Sequence, residues 1–221
     1  MPPDAFTTIS SNDKPSIKMK QEKRTFTGSV HARAIGDGMP SEVGGIAAVV
    51  NSVTDLGMFE EVILTGAFDY CLSGEYDIRC LFNHESELIL GRTKANTCKV
   101  FVNGDGNLEY TWVPDYENPT HMSVVRSIMR GDITQSSFAF TIKEQVWTES
   151  EKYGNMGKRT IKVIDQLFDV SPVTYPAYEE TEADARSIIA MRDQDLEIES
   201  AKQSNASADI LKLALARYSN L

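Results

Sequence analysis

The sequence predicts a β-rich α+β domain carrying a helical tail. Three observations lead there. Short apolar segments rich in Val, Ile, Phe, Tyr and Thr recur between turn residues from Thr25 onward. The segment "NGDGN", Asn103 to Asn107, separates two of them and is the clearest hairpin signal. Helical periodicity is confined to a few stretches.

Residues 1–24 are polar, with Pro2, Pro3 and Pro15 among Ser, Thr and Lys, and predict a flexible arm. The strand candidates follow in order: "GGIAAVV", "FEEVIL", "YDIRCLF", "CKVFV", "LEYTWV", "SSFAFTI" and "RTIKVIDQLFDV". Such strands admit a barrel. "TGAFDYCL" reads as a short helical turn capped by Thr65, with Gly66 weakening it. "SVVRSIMRG" groups Val124, Val125, Ile128 and Met129 on one helix face and stops at Gly131. "TEADARSIIAM" opens with a variant capping box, Thr181 with Asp184. "RDQDLEIESAKQSNAS" reads as a polar linker, and "ADILKLALARYSNL" as a terminal amphipathic helix with Ile210, Leu211, Ala214 and Leu215 grouped. The expected organisation is an arm over 1–24, a folded domain over 25–178 and a tail over 179–221.

A chain of 221 residues suits one domain with appended segments. Its formal net charge of -10 argues against bulk binding to a phosphate backbone, so no nucleic-acid partner is expected. No run of about 18 apolar residues exists to cross a membrane, and the N-terminus lacks the apolar core of a secretory signal. Cys71, Cys80 and Cys98 are odd in number and lack metal-ligand spacing. They indicate a reducing compartment and small buried side chains rather than thiol nucleophiles. His31, His84 and His121 form no paired ligand motif, so neither a zinc site nor another cofactor is expected.

Three residues could carry chemistry. His84 ends the run "RCLFNHE", at the end of a strand candidate. There its imidazole can exchange protons near neutrality, or simply be a hydrogen-bonded strand-end histidine. Ser137 precedes Phe138, Ala139 and Phe140. Strand alternation puts both phenylalanines on one face and Ser137 with Ala139 on the other. Ser136 would point with the phenylalanines into the core, which disfavours it as a nucleophile. Asp169, between Phe168 and Val170 in "QLFDVSPVTYPAY", could accept from the second histidine nitrogen, or be a solvent-facing acid. Asp165 lies on the same face by even spacing and is the fallback. Pro172 and Pro176 indicate that the strand ends there or lies at an edge. No Gly-x-Ser-x-Gly elbow is present, which counts against an unrelated esterase of the common α/β-hydrolase type.

From about Gly45 to Tyr178 the chain resembles the prohead serine proteases of tailed bacteriophages, relatives of herpesvirus assemblin. The resemblance rests on five ordered segments: "AAVVNSVTDLGMFEEVILTGAFDYCL", "LFNHESELILGRT", "VRSIMRGDITQ", "SSFAF" and "DVSPVTYPAY". It implies a small assemblin-like β-barrel surrounded by helices. It implies a serine endopeptidase that acts within the phage prohead in the host cytoplasm, on scaffold or the scaffold-like arm of the major capsid protein. Self-processing and a homodimer follow by the same analogy. Matched by motif, Ser137 is the nucleophile, His84 the base and Asp169 the third member. The chain departs from the family pattern at Ala139, where Gly is usual, at Ser136, where Met is common, and at Asp169, where Glu is common. Herpesvirus relatives use a second histidine in the third place, and His121 lies too far from the matching block to be assigned to it. The alternative is a catalytically inactive capsid-assembly protein of the same fold.

Overall fold

Alternating apolar side chains build two β-sheets in the computed structural model, which describes residues 21–27, 30–33, 38–150, 154–175, 192–198 and 200–206. In chain order the elements are β1 (Glu22–Thr27), β2 (Val30–Arg33), β3 (Glu42–Ala48), β4 (Thr54–Asp55), β5 (Glu60–Ile63), α1 (Asp69–Leu72), β6 (Arg79–Phe82) and β7 (Glu85–Arg92). A 3-10 turn (Thr93–Ala95), β8 (Cys98–Val102), β9 (Leu108–Trp112), α2 (Pro119–Arg130), β10 (Gln135–Ser150) and β11 (Gly154–Val173) follow. All seven apolar segments predicted as strand contain strand.

The larger sheet runs β1-β10-β11-β5-β4, with β6 on β11 and β7 on β6; the smaller runs β2-β3-β9-β8. Strand β3 packs against β1, β10 and β11, so the sheets face each other. The barrel expectation is corrected here. Among the described residues the sheets stay open, because closure needs each strand paired on both sides and β1, β4, β7, β2 and β8 each end a path. Helix among the described residues is limited to α1, α2 and residues 192–198 and 200–206.

The 20-residue β11 is the spine. One side pairs antiparallel with β10. The other pairs in parallel first with β5 and then with β6. Between those two partners, Ile164 N donates to Ala67 O just before α1. Phe138, Phe140, Ile161, Ile164 and Val170 from this ladder join Tyr110, Trp112, Val124, Val125 and Ile128 in one buried core. Burial of such side chains stabilises by about 1.5–3 kcal/mol each.

Local signals hold where turn chemistry decides them. Asn103 Oδ1 accepts from Asp105 N and Asn107 N, closing the predicted hairpin. Gly131, at φ 82°, ends α2 with its N–H on Ile128 O while Asp132 N reaches Ser127 O. Two details of the helices differ from expectation. The first helix begins at Asp69 with Phe68 in the cap position and no side-chain cap, while Thr65 is engaged by Asn51. The second begins at Pro119 on an Asn118 cap and buries His121 with Val124, Val125 and Ile128, leaving Met129 exposed.

Two further corrections concern the ends, and at Pro172 the edge reading holds. Residues 22–24, grouped with the arm for their polarity, are strand, because β10 supplies their hydrogen-bond partners. Residues 192–198 and 200–206, read as linker, are helical. Their Ala, Leu, Glu, Lys and Gln are good helix formers and no Gly or Pro interrupts them. The ladder also passes through Pro172 to Val173; beyond Cys80 no β6 residue faces β11, so the missing N–H is not needed. The helices predicted within 181–191 and 208–221 lie outside the described residues.

Candidate active site

Strand β10 separates its two serines as alternation requires. Ser136 Oγ lies 2.9 Å from Tyr110 OH inside the core. Ser137 shares the other face with Ala139, and both are fully buried. Their cross-strand partners on β11 are Ser171 and Asp169 respectively. One face of two neighbouring strands therefore holds Ser137, Asp169 and Ser171 together.

His84 comes from a different construction. It stands in the two-residue turn between β6 and β7, where Phe82 pairs with Glu85. Asn83 and His84 both have left-handed backbones, at φ 53° and 61°. A tight hairpin turn of this kind requires positive φ at both central residues and usually takes Asn-Gly. A histidine in the glycine place is strained, as side chains at working sites often are. Asn83 fastens the turn to the end of β11: its N–H donates to Pro172 O, and its Oδ1 accepts from Thr174 N and Thr174 Oγ1.

The turn brings the imidazole between the other two groups. His84 Nε2 is 2.6 Å from Ser137 Oγ, and Nδ1 is 2.6 Å from Asp169 Oδ1. The side chains of His84 and Asp169 are only 8% and 7% exposed. Ser171 Oγ donates to Asp169 Oδ1 at 2.8 Å, and Ser137 Oγ lies 2.9 Å from the carbonyl oxygen of Arg24 on β1. A serine, an imidazole and a carboxylate in series can pass a proton from hydroxyl to imidazole while the acid orients the ring.

The structure thus places Ser137, His84 and Asp169 in contact and leaves the competitors elsewhere. Asp165 is out of phase: β10 pairs Thr141 with Gln166 and Ile142 with Ile164, so Asp165 is the extra residue of a bulge. His121 is committed to packing, with Nδ1 accepting from Asp115 N and Nε2 donating to Ile89 O. Burial pushes the Cys71 thiol up to about 12, aided by Asp165 and Asp69 although a backbone hydrogen bond opposes it, and leaves it protonated near neutrality. Sequence reasoning missed Ser171, Asn83 and Arg24. The first could have been found by alternation from Asp169, and the second by the tolerance of Asn for a left-handed backbone. No local signal marks Arg24.

The curated proteins return no match. Among solved structures, the bacteriophage T4 capsid assembly protease, gp21, aligns at 12% identity and a TM-score of 0.41, over 72% of this chain and 99% of that one. The caudovirus prohead serine protease family matches residues 29–194, which is most of the chain, and the protein belongs to that family.

Proposed function

We propose that the chain is a serine endopeptidase of capsid maturation in which Ser137 is the nucleophile, His84 the general base and acid, and Asp169 the acid that orients His84. The observation that carries this is the unbroken series of short contacts, Ser137 Oγ to His84 Nε2 and His84 Nδ1 to Asp169 Oδ1. His84 takes the hydroxyl proton as Oγ attacks a peptide carbonyl carbon. The imidazolium then gives that proton to the departing amine, leaving an acyl-enzyme. Water, deprotonated by His84, attacks the ester and releases Ser137 and the new carboxyl end. Asp169 accepts from Nδ1–H throughout, and Ser171 holds the carboxylate in place. Family membership supports scaffold or the scaffold-like arm of the capsid protein as substrate, within the prohead, with self-processing and a homodimer as parts of the same proposal.

One observation favours the alternative, an inactive assembly protein of the same family: Ser137 is fully buried. Co-expression with the cognate capsid protein, read by gel and mass spectrometry, separates the two. The active reading expects processed capsid protein with wild type and none with Ser137→Ala, a loss on the order of 10⁴-fold or more. Ser136→Ala should still cleave, because its hydroxyl serves Tyr110 in the core. Full cleavage by Ser137→Ala would sink the assignment. Unchanged termini in an enzyme that cleaves its substrate would remove self-processing alone.

A further inference from the structure

We propose that the β10 edge beside Ser137 is a site for an extended peptide segment, that β1 is its resident occupant, and that β1 must leave before the enzyme acts. This rests on the roles proposed for Ser137, His84 and Asp169. Hydrogen counting supplies the first argument. Ser137 has one hydroxyl hydrogen. Its Oγ stands 2.9 Å from Arg24 O, which can only accept, and 2.6 Å from His84 Nε2. While the hydroxyl donates to Arg24, the short contact to Nε2 needs a hydrogen on Nε2. The contact of Nδ1 with the Asp169 carboxylate needs another on Nδ1. An imidazole with hydrogens on both nitrogens cannot take one from Ser137. Withdrawing the Arg24 carbonyl lets the hydroxyl turn to a neutral Nε2, with Nδ1–H still on Asp169.

The fastening of β1 supplies the second argument. Four charges meet beneath it. Arg24 donates to Glu61 of β5 and Glu22 of β1. Arg159 of β11, fully buried, donates to Glu22 and Glu61. The set divides into two neutral pairs. Glu22 with Arg24, 2.7 Å apart, travels with β1; Glu61 with Arg159, 3.2 Å apart, remains. Departure of β1 therefore leaves none of these four charges without an opposite partner, the condition that makes breaking a buried ion pair costly. A strand held by a single arginine or glutamate would lack this property.

The third argument is the edge itself. Six residues of β1 pair in unbroken antiparallel register with the strand that carries the nucleophile, Thr25 opposite Ser137. An incoming extended segment that takes over these hydrogen bonds lays a peptide carbonyl beside Ser137 without a preformed deep pocket. This is strand addition, in which the main chain supplies affinity. The class of ligand is accordingly an extended stretch of polypeptide.

A reversible tether tests this. Thr27 and Gln135 are direct cross-strand partners at the end of the β1–β10 ladder, and the double variant Thr27→Cys with Gln135→Cys can lock the strand. Cleavage of the capsid substrate and labelling by a fluorophosphonate are measured on the oxidised and reduced forms, with the disulfide verified by mass spectrometry. The oxidised form should be at least 10-fold slower in both than the reduced form of the same variant. The paired variant Glu22→Gln with Arg24→Gln loosens the strand and should label several-fold faster than wild type. Equal rates for oxidised and reduced enzyme, with labelling abolished in Ser137→Ala, would overturn the strand-displacement proposal and leave the triad standing. Labelling or cleavage undiminished in Ser137→Ala would instead remove the triad on which it rests.

Discussion

Asp169 is one methylene shorter than the glutamate common in its family, yet its Oδ1 reaches His84 Nδ1 at 2.6 Å. Two features explain the reach. Asp169 sits directly opposite Ala139 on the neighbouring strand, and Ser171 donates to the same carboxylate oxygen. The proposed role has a sharp consequence for Asp169→Asn. The amide cannot hold Nδ1–H in the same way, so the wrong ring tautomer is favoured and kcat should fall by about 10⁴-fold. KM should change little, because Asp169 is assigned no contact with substrate. Steady-state kinetics on a peptide spanning the cleavage site would measure both, and a fall in kcat of less than 10-fold would remove Asp169 from the mechanism.

At the scale of elements, the decisive piece is the Asn83–His84 turn. It holds His84, the proposed base, in a left-handed backbone that costs about 1–2 kcal/mol for an L-residue. Asn83 offsets part of this through its bonds to Pro172 and Thr174. Asn83→Ala should destabilise the fold by about 1–2 kcal/mol. It should also lower kcat more than KM, because the imidazole loses its aim. A thermal melt beside kinetics would check this; a stability loss with unchanged kcat would make Asn83 structural only. The bulges of β10 and β11 matter in the same way. Between the Ala139–Asp169 pair and the Phe140–Leu167 pair the register slips by one residue. Asp169 and Val170 keep the phase that serves the site while Leu167 returns to the core. Even spacing therefore misplaced Asp165, for alternation cannot be counted through a bulge that the sequence does not announce.

Over the whole molecule, one buried arginine ties distant parts of the chain together. Arg159 joins Glu22 of the first strand and Glu61 of β5, and its Nε donates to Gln145. Gln145 Nε2 in turn donates to Asp195 of the helical residues 192–198. Burial pushes the Glu22 carboxyl up, but hydrogen bonding and attraction from Arg159 and Arg24 outweigh it and hold the group below its ordinary 4.5. A carboxyl lowered in the folded state stabilises that state above its unfolded value. The contribution fades as pH falls through the folded value. The melting temperature should therefore drop on acidification below about pH 4.5. Glu22→Gln should flatten that drop and lower stability at neutral pH by up to about 3 kcal/mol. Melting curves across pH would test this, and parallel curves for the two proteins would refute the linkage.

The sequence by itself determined the strand segments, the hairpin at Asn103–Asn107, the Gly131 stop of α2 and the opposite facing of Ser136 and Ser137. Each depends on alternation or on turn chemistry within a few residues. The order of its motifs also singles out Ser137, His84 and Asp169. Tertiary structure alone decided the order of the strands in the two sheets and that Arg24 lies against Ser137. It also decided the charge cluster of Glu22 and Arg159, 137 residues apart in the chain. The physical reason is common to these outcomes. Strand pairing across such separations is set by which edges and buried charges find partners in the packed whole, and no local pattern encodes that choice. In "ITQSSFAF", local alternation sets Ser137 on the face opposite the two phenylalanines; the strand that covers Ser137 comes from more than 100 residues away, and only the assembled sheet brings the two together.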